Sequence, residues 1–457
     1  MSEPATLRLV LFTRVPRAGM VKTRLIPVLG AAGAAGLQRE MTAHALAWTR
    51  TSLRIVPAEL EIRFTGGTED DMRRCLGPAE SYTPQGEGDL GARMSRAFEA
   101  AEREGITRTV VIGSDCPGLD ANGLLTAFER LNDHDLVLGP ARDGGYYLIG
   151  LRSPEPRLFE GITWGETSVF EETLVRARAA GLRVALLDPL RDVDEPADLA
   201  VWREQRGRRP PLADDAIIAV IVPTLDEAGR IGSLLEHLSA LSTAQVIVAD
   251  GGSRDGTARR ARELGAKVVT SDAGRAQQMN AGAVEAQGDI LLFLHADTLL
   301  PDTFEKDIRS ALQDPNVVGG AFRFALDAAE RRFRVLEKLV NWRSSRFALP
   351  YGDQALFVRA DVFRGLGGYP ELAVMEDFEL VRRLKRRGRI VTAGTAARTS
   401  ARLWRSSGFL RVMLVNQLTV LAHLAGMRSD RLARWRRKLL ARSPLPPQTG
   451  QSAKPTH

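Results

Sequence analysis

Short apolar, strand-like runs recur along this chain, separated by helix-length stretches, and the whole pattern starts twice. The first series is Leu7–Phe12, Thr109–Ile112, Leu136–Leu138, Tyr147–Leu151 and Val184–Leu187. The second is Ile217–Val222, Val246–Ala249, Lys267–Val269, Ile290–Leu294 and Ala355–Val358. Strands alternating with helices predict an α/β fold, with mixed, mostly parallel sheets covered on both faces. The restart follows RGRRPPLADD, Arg206–Asp215, a polar, Pro-containing stretch with linker composition. The expected organisation is therefore a domain at 1–205, a linker at 206–215, a second domain at 216–408 and a basic extension at 409–457. A length of 457 residues suits two such domains. In open α/β sheets, ligands bind beyond the carboxyl ends of the strands, so chemistry is sought there.

Composition excludes other classes. Hydrophobic residues make up 44% and charged residues 26%, which argues against a disordered, collagen-like or coiled-coil chain. The two cysteines, Cys75 and Cys116, cannot build a disulfide framework and point to a reducing compartment. The opening MSEPATLRLV lacks the pattern of a signal peptide. The best apolar stretch, Val412–Gly426, is short and broken by Asn416, Gln417 and His423. A cytoplasmic location is expected. Charge is uneven. Residues 1–205 hold 24 basic and 30 acidic groups, whereas 382–442 hold 17 basic groups and one acid, Asp430. Such asymmetry suggests a local anionic partner: a nucleotide diphosphate, a lipid headgroup or nucleic acid. No recognised nucleic-acid-binding motif accompanies it, so no nucleic-acid partner is expected.

Four signals follow strands of the second half: Pro223-Thr-Leu-Asp-Glu227, Asp250-Gly-Gly-Ser-Arg-Asp-Gly-Thr257, His295-Ala-Asp297 and Met375-Glu-Asp377. Singly each has a plain reading. Asp250 before glycines makes a turn, Glu376 and Asp377 cap a helix, Asp297 is a loop carboxylate, and Arg275 in GRAQQMNAG is a solvated cation. In this order they resemble the family 2 glycosyltransferases, over about 217–408. The matching pieces are VPTLDE, ADGGSRDGT, GRAQQMNAGA, FLHADTLLP and YGDQALFVRADVFRGLGGYPELAVMEDFEL. Among these the chain is most similar to the arsenosugar-biosynthesis (radical-SAM/selenodomain-associated) transferase subgroup.

The resemblance implies two tandem GT-A/Rossmann-like domains and an inverting enzyme that uses a nucleotide-sugar donor. It would set Thr224, Glu227 and Asp250 around the nucleoside, with Arg275 and Asn280 also on the donor. Asp297 would hold Mg²⁺ or Mn²⁺ on the diphosphate. His295 stands where many relatives have the first Asp of Asp-x-Asp, either binding Mn²⁺ or hydrogen-bonding the donor. Asp377, beside Glu376, would be the base that takes the acceptor's proton. The later TSARLWR is similar to a motif that touches the diphosphate, through Arg402 and Trp404; a basic surface loop reads equally well.

In the first half, Arg14, Lys22 and Arg24 lie in RVPRAGMVKTRL, just past the first strand. A glycine-containing loop with cations suits a nucleoside triphosphate, although the GxxxxGK[ST] spacing is absent. The chain has seven lysines, and Lys22 is the only one before Lys267, which suggests a need for a compact point charge there; chance is the alternative reading. GSDCP, RDGGYY, WGET and DVDEPAD follow. Together these resemble a widespread transferase family related to the molybdenum-cofactor and phospholactate nucleotidyltransferases. That implies Asp115 and Asp194 as Mg²⁺ ligands, with Asp143 on the nucleotide.

The expectation is thus a metal-dependent glycosyltransferase whose first domain makes or handles the activated donor. Two alternatives stand beside it. One is a transferase at the inner membrane face that acts on a lipid or carotenoid acceptor, with helices at Phe409–Gly426 and Arg428–Arg442, the second resting on anionic lipid. The other makes the first half a non-catalytic binding module.

Overall fold

The computed structural model describes residues 7–78, 81–242, 244–328, 330–350 and 352–440. The first half forms a seven-stranded sheet from β1 (Leu7–Arg14), β2 (Glu59–Thr65), β3 (Ser81–Pro84), β4 (Arg108–Gly113), β5 (Leu136–Pro140), β6 (Tyr146–Leu151) and β7 (Val184–Leu186). Its order is β3-β2-β1-β4-β6-β5-β7, parallel except for β6. The second sheet contains β8 (Ile218–Thr224), β9 (Gln245–Asp250), β10 (Lys267–Thr270), β11 (Ile290–Phe293), β12 (Thr298–Leu299), β13 (Val317–Asp327), β14 (Leu356–Arg359) and β15 (Arg389–Ser400). Its order is β10-β9-β8-β11-β14-β13-β15-β12. Strand β14 runs antiparallel to both neighbours, and β12 is antiparallel to β15.

Both central strands carry a continuous apolar run, Leu9–Phe12 in β1 and Ile218–Val222 in β8, because both faces are covered. In β1, Leu9 and Leu11 enter one core while Val10 and Phe12 enter the other. In β8, Val220 and Val222 face one core, and Ala219 and Ile221 the opposite one. The sequence patterning missed β2, β3, β12, β13 and β15. Strand β2 alternates charged with apolar residues, and its Arg63 and Glu61 are buried as an ion pair at 3.0 Å. Strand β15 is rich in Ala, Thr and Arg and carries little apolar signal. The halves pack through helix Ile26–Leu53 against helix Ala360–Gly365, with ion pairs Glu40–Arg387 and Arg54–Asp289.

Candidate active site

In the second half the strand ends converge. Asp250 is buried, and its carboxylate accepts from the Gly252 and Ser253 backbone N–H groups at 3.1 and 2.9 Å. Thr224 Oγ1 donates to it at 3.3 Å. Gln278, on helix Arg275–Val284, donates to Thr224 O at 2.7 Å and Ala249 O at 3.0 Å, fastening that helix to both strand ends. The Glu227 carboxylate pairs with Arg230, while its backbone N–H donates to Thr257 Oγ1 at 2.8 Å.

Helix Glu376–Lys385 opens after Met375, which takes a left-handed φ of 71°. Asp377 is 9% exposed, and the Gly352 N–H donates to it. A Cβ on Gly352 would run into the Asp377 carboxylate, so this approach requires glycine. Burial, then the neighbouring Glu376 charge, push the Asp377 carboxyl up to about 7, against the pull of Arg275. Arg275 Nη1 lies 3.6 Å from Glu376 Oε1. Burial also raises Asp353, opposed by Arg343 and Arg275 and reinforced by Asp297. The His295 imidazole is pushed down to about 3 by burial and Arg275, so it stays neutral. Asp353 Oδ1 and His295 Nε2 are buried without hydrogen-bond partners, and the buried Tyr369 hydroxyl faces Asp377. Such orphaned groups cost roughly 1–3 kcal/mol each until something binds them. A neutral imidazole nitrogen of this kind, in the same strand-end turn as Asp297, suits a divalent cation. Among the described residues, no group of three or more His, Cys, Asp or Glu is arranged to hold a metal. Sequence reasoning gave Asp353 no role; it stands within the quoted YGDQ run.

Of the expected donor contacts, Asn280 and Trp404 are engaged within the fold and Arg402 is exposed. Asn280 donates to Tyr369 O at 2.9 Å and accepts from Tyr369 N–H at 2.8 Å, so both polar atoms of its amide hold a turn. Trp404 packs against the cluster of Phe324, Leu326 and Phe333. Arg402 is exposed at the start of helix Arg402–Ser407.

In the first half the carboxylates expected to hold Mg²⁺ are bridged by an ammonium. Lys22 is buried, in a left-handed conformation with φ 46°, and its Nζ lies 2.9 Å from Asp115 Oδ1 and 2.8 Å from Asp194 Oδ1. It also donates to Val193 O at 2.8 Å, so all three ammonium donors are used. Lys22 is therefore not turned toward a phosphate, and the space between these carboxylates does not fit a metal while the ammonium fills it. Beside them lies a cavity of about 570 Å³ whose lining includes Arg14, Asp115, Asp143, Asp192, Asp194 and Trp164. Arg24 is exposed, 3.9 Å from Glu195. Burial, then Asp143 and Asp194, raise the Asp192 carboxyl to about 6.

The C-terminal helices are Phe409–Leu424 and Ser429–Leu440. Val412, Val415 and Thr419 of the first are buried, while Leu410, Leu414, Leu418, Leu421 and Leu424 are 38–70% exposed. The first helix thus packs by one face and leaves an apolar stripe outside. No helix among the described residues is long and apolar enough to cross a membrane.

Comparisons with known proteins agree with this division. Residues 49–166 match the family described as "Uncharacterized protein conserved in bacteria (DUF2064)". Residues 219–365 match "Glycosyl transferase family 2". The chain is similar to the succinoglycan biosynthesis protein ExoA of Rhizobium meliloti, 32% identical over 37% of this chain and 58% of that protein. It is also similar to 4,4'-diaponeurosporenoate glycosyltransferase of Staphylococcus haemolyticus, 41% identical over 18% of this chain and 24% of that protein. It thus spans less than two thirds of the curated relatives it matches. A solved structure described as a "putative nucleotide-diphospho-sugar transferase" from Desulfovibrio desulfuricans G20 is 36% identical over 44% of this chain and 88% of that one, with a TM-score of 0.41. The chain thus carries a DUF2064 domain in its first half, matched over residues 49–166, and a glycosyl transferase family 2 domain in its second, matched over residues 219–365.

Proposed function

We propose that the second half transfers a sugar from a nucleotide-sugar donor to an acceptor hydroxyl or carboxyl, with inversion, and that Asp377 is the base. The observation that carries this is the Asp377 carboxyl itself: buried, raised to about 7, and set beside Glu376, Arg275 and the Tyr369 hydroxyl. A base poised near neutral pH both takes and holds a proton usefully. Thr224, Glu227 and Asp250 would surround the nucleoside, and Arg275 would meet the diphosphate. Asp297 and His295 would hold Mg²⁺ or Mn²⁺, which would offset diphosphate charge. The first half, within 1–205, would serve the activated donor from its acidic cavity, joined through 206–215 to a transferase domain at 216–408, in a cytoplasmic setting. The test is release of nucleoside diphosphate from a nucleotide-sugar panel by the full chain with Mg²⁺ or Mn²⁺. Release that needs both metal and Asp377 supports the reading; release unaffected by Asp377→Asn contradicts it.

The exposed leucine stripe favours a second reading, a transferase working at a membrane surface on an amphiphilic acceptor. Helix Ser429–Leu440 adds Arg431, Arg434, Arg436, Arg437 and Lys438 against Asp430 alone. An apolar face beside a cationic helix suits anionic lipid, each basic group near the surface adding roughly 1 kcal/mol.

A further inference from the structure

The two sheets repeat one strand order, β3-β2-β1-β4-β6-β5-β7 against β10-β9-β8-β11-β14-β13-β15. In each, the fifth strand of that row, β6 or β14, is the one that runs antiparallel to both neighbours. The correspondence reaches the strand ends. After β4 stands Asp115, and after its counterpart β11 stands Asp297. The connection from β5 to β6 carries Asp143 beside Gly144; that from β13 to β14 carries Asp353 beside Gly352. The helices that precede β7 and β15 begin at Val169 and Glu376. Each is clamped to the connection just described. Phe170 N–H donates to Gly144 O at 2.9 Å, and a Cβ on Gly144 would run into Thr167 O. In the second half, Gly352 N–H donates to Asp377, and a Cβ there would meet its carboxylate. Glu166, next in the chain to Thr167 of this clamp, is a carboxylate that lines the 570 Å³ cavity.

We propose that the first half is a second group-transfer site, in which Glu166 takes the proton from a hydroxyl of a carbohydrate-like acceptor. Six carboxylate residues line the cavity against two arginines, Arg14 and Arg93, and Lys22 is spent on Asp115 and Asp194. The carboxylates offer hydrogen-bond acceptors to hydroxyl groups, and the two arginines would meet the donor's diphosphate. Trp164, edge-on to Tyr146 with ring centroids 6.4 Å apart, supplies an aromatic wall. Its Nε1 and the Nε of Arg93 are buried without hydrogen-bond partners, leaving two donors for a polar ligand. In the transfer, the acceptor oxygen bonds to the activated carbon of the donor and its O–H proton passes to Glu166. The bond from that carbon to the diphosphate oxygen breaks, its electron pair leaving on the nucleoside diphosphate. Water in place of the acceptor gives hydrolysis by the same balance. The donor class rests on the reading of the second half; the place of Glu166 does not.

The test uses the full chain carrying Asp377→Asn, with UDP-glucose, GDP-mannose, ADP-glucose and dTDP-glucose, Mg²⁺ or Mn²⁺, and glucose or water as acceptor. Residual nucleoside diphosphate release is expected from at least one donor, falling by about 10²–10⁴-fold when Glu166→Gln is added. Thermal unfolding of the two chains should coincide, because Glu166 is exposed. Absence of residual release from every donor, or release that survives Glu166→Gln, would overturn the proposal. A Glu166-dependent residue of activity would stand even if Asp377→Asn left the main transfer untouched, so the two readings fail separately.

Discussion

Replacing Asp377 by Asn separates the residue's chemistry from its cost to the fold. In the folded chain burial and Glu376 raise this carboxyl from 3.8 to about 7, whereas the unfolded chain titrates it near its ordinary value. Between those two values the folded state keeps a proton that the unfolded state releases. Stability therefore falls as pH rises through the window and levels off above it. A displacement of about 3 pH units corresponds to on the order of 4 kcal/mol. Asn has no such titration and still offers an oxygen to the Gly352 N–H. The variant should match the parent near pH 4 and exceed it by on the order of 4 kcal/mol at pH 8, measured by urea unfolding across that range. Its sugar transfer should be about 10²–10⁴-fold slower. Parent activity should rise with pH through about 7, as the base loses its proton. A stability difference that is flat with pH, or transfer at the parental rate, would refute the assignment.

Lys22→Met should destabilise the first half by about 2 kcal/mol in thermal or urea unfolding, because it leaves Asp115 and Asp194 facing each other without their shared cation. Asn280→Ala should cost about 1 kcal/mol for each lost hydrogen bond to Tyr369, yet leave nucleotide affinity by calorimetry within about twofold; a loss of nucleotide binding alone would restore the donor-contact reading. Leu414→Glu with Leu421→Glu should abolish co-sedimentation with anionic vesicles at low salt; binding that persists, or a parent chain that never binds, would remove the membrane reading.

How much was legible in the sequence follows from what each residue does locally. Strands β1, β4, β8 and β11 announce themselves because both faces are buried and each holds an apolar run of three residues or more. Strands β2 and β15 do not, because their polar residues are neutralised by partners distant in the chain, as Arg8 from β1 reaches Glu59 at 2.6 Å. The helix that carries Asp377 is legible as Met-Glu-Asp at a helix start. Asp353 is not, since its significance comes only from the fold bringing its connection to the other acids around Arg275. Lys22 stands out in the sequence as the only lysine before Lys267, but its contacts with Asp115 and Asp194 do not. A short glycine-containing loop suggests phosphate, whereas the left-handed backbone at Lys22 turns the ammonium inward to two carboxylates 93 and 172 residues away.

The central claim is that the second half binds a nucleotide-sugar donor through a divalent cation. Calorimetric titration of the full chain with UDP, GDP, ADP and dTDP, each with Mn²⁺, with Mg²⁺ and with chelator, tests it most directly. The account predicts one-site binding of at least one nucleotide that needs the cation and weakens by at least about tenfold in Asp297→Ala. Binding indifferent to both chelator and Asp297→Ala, or no binding of any of the four, would contradict it.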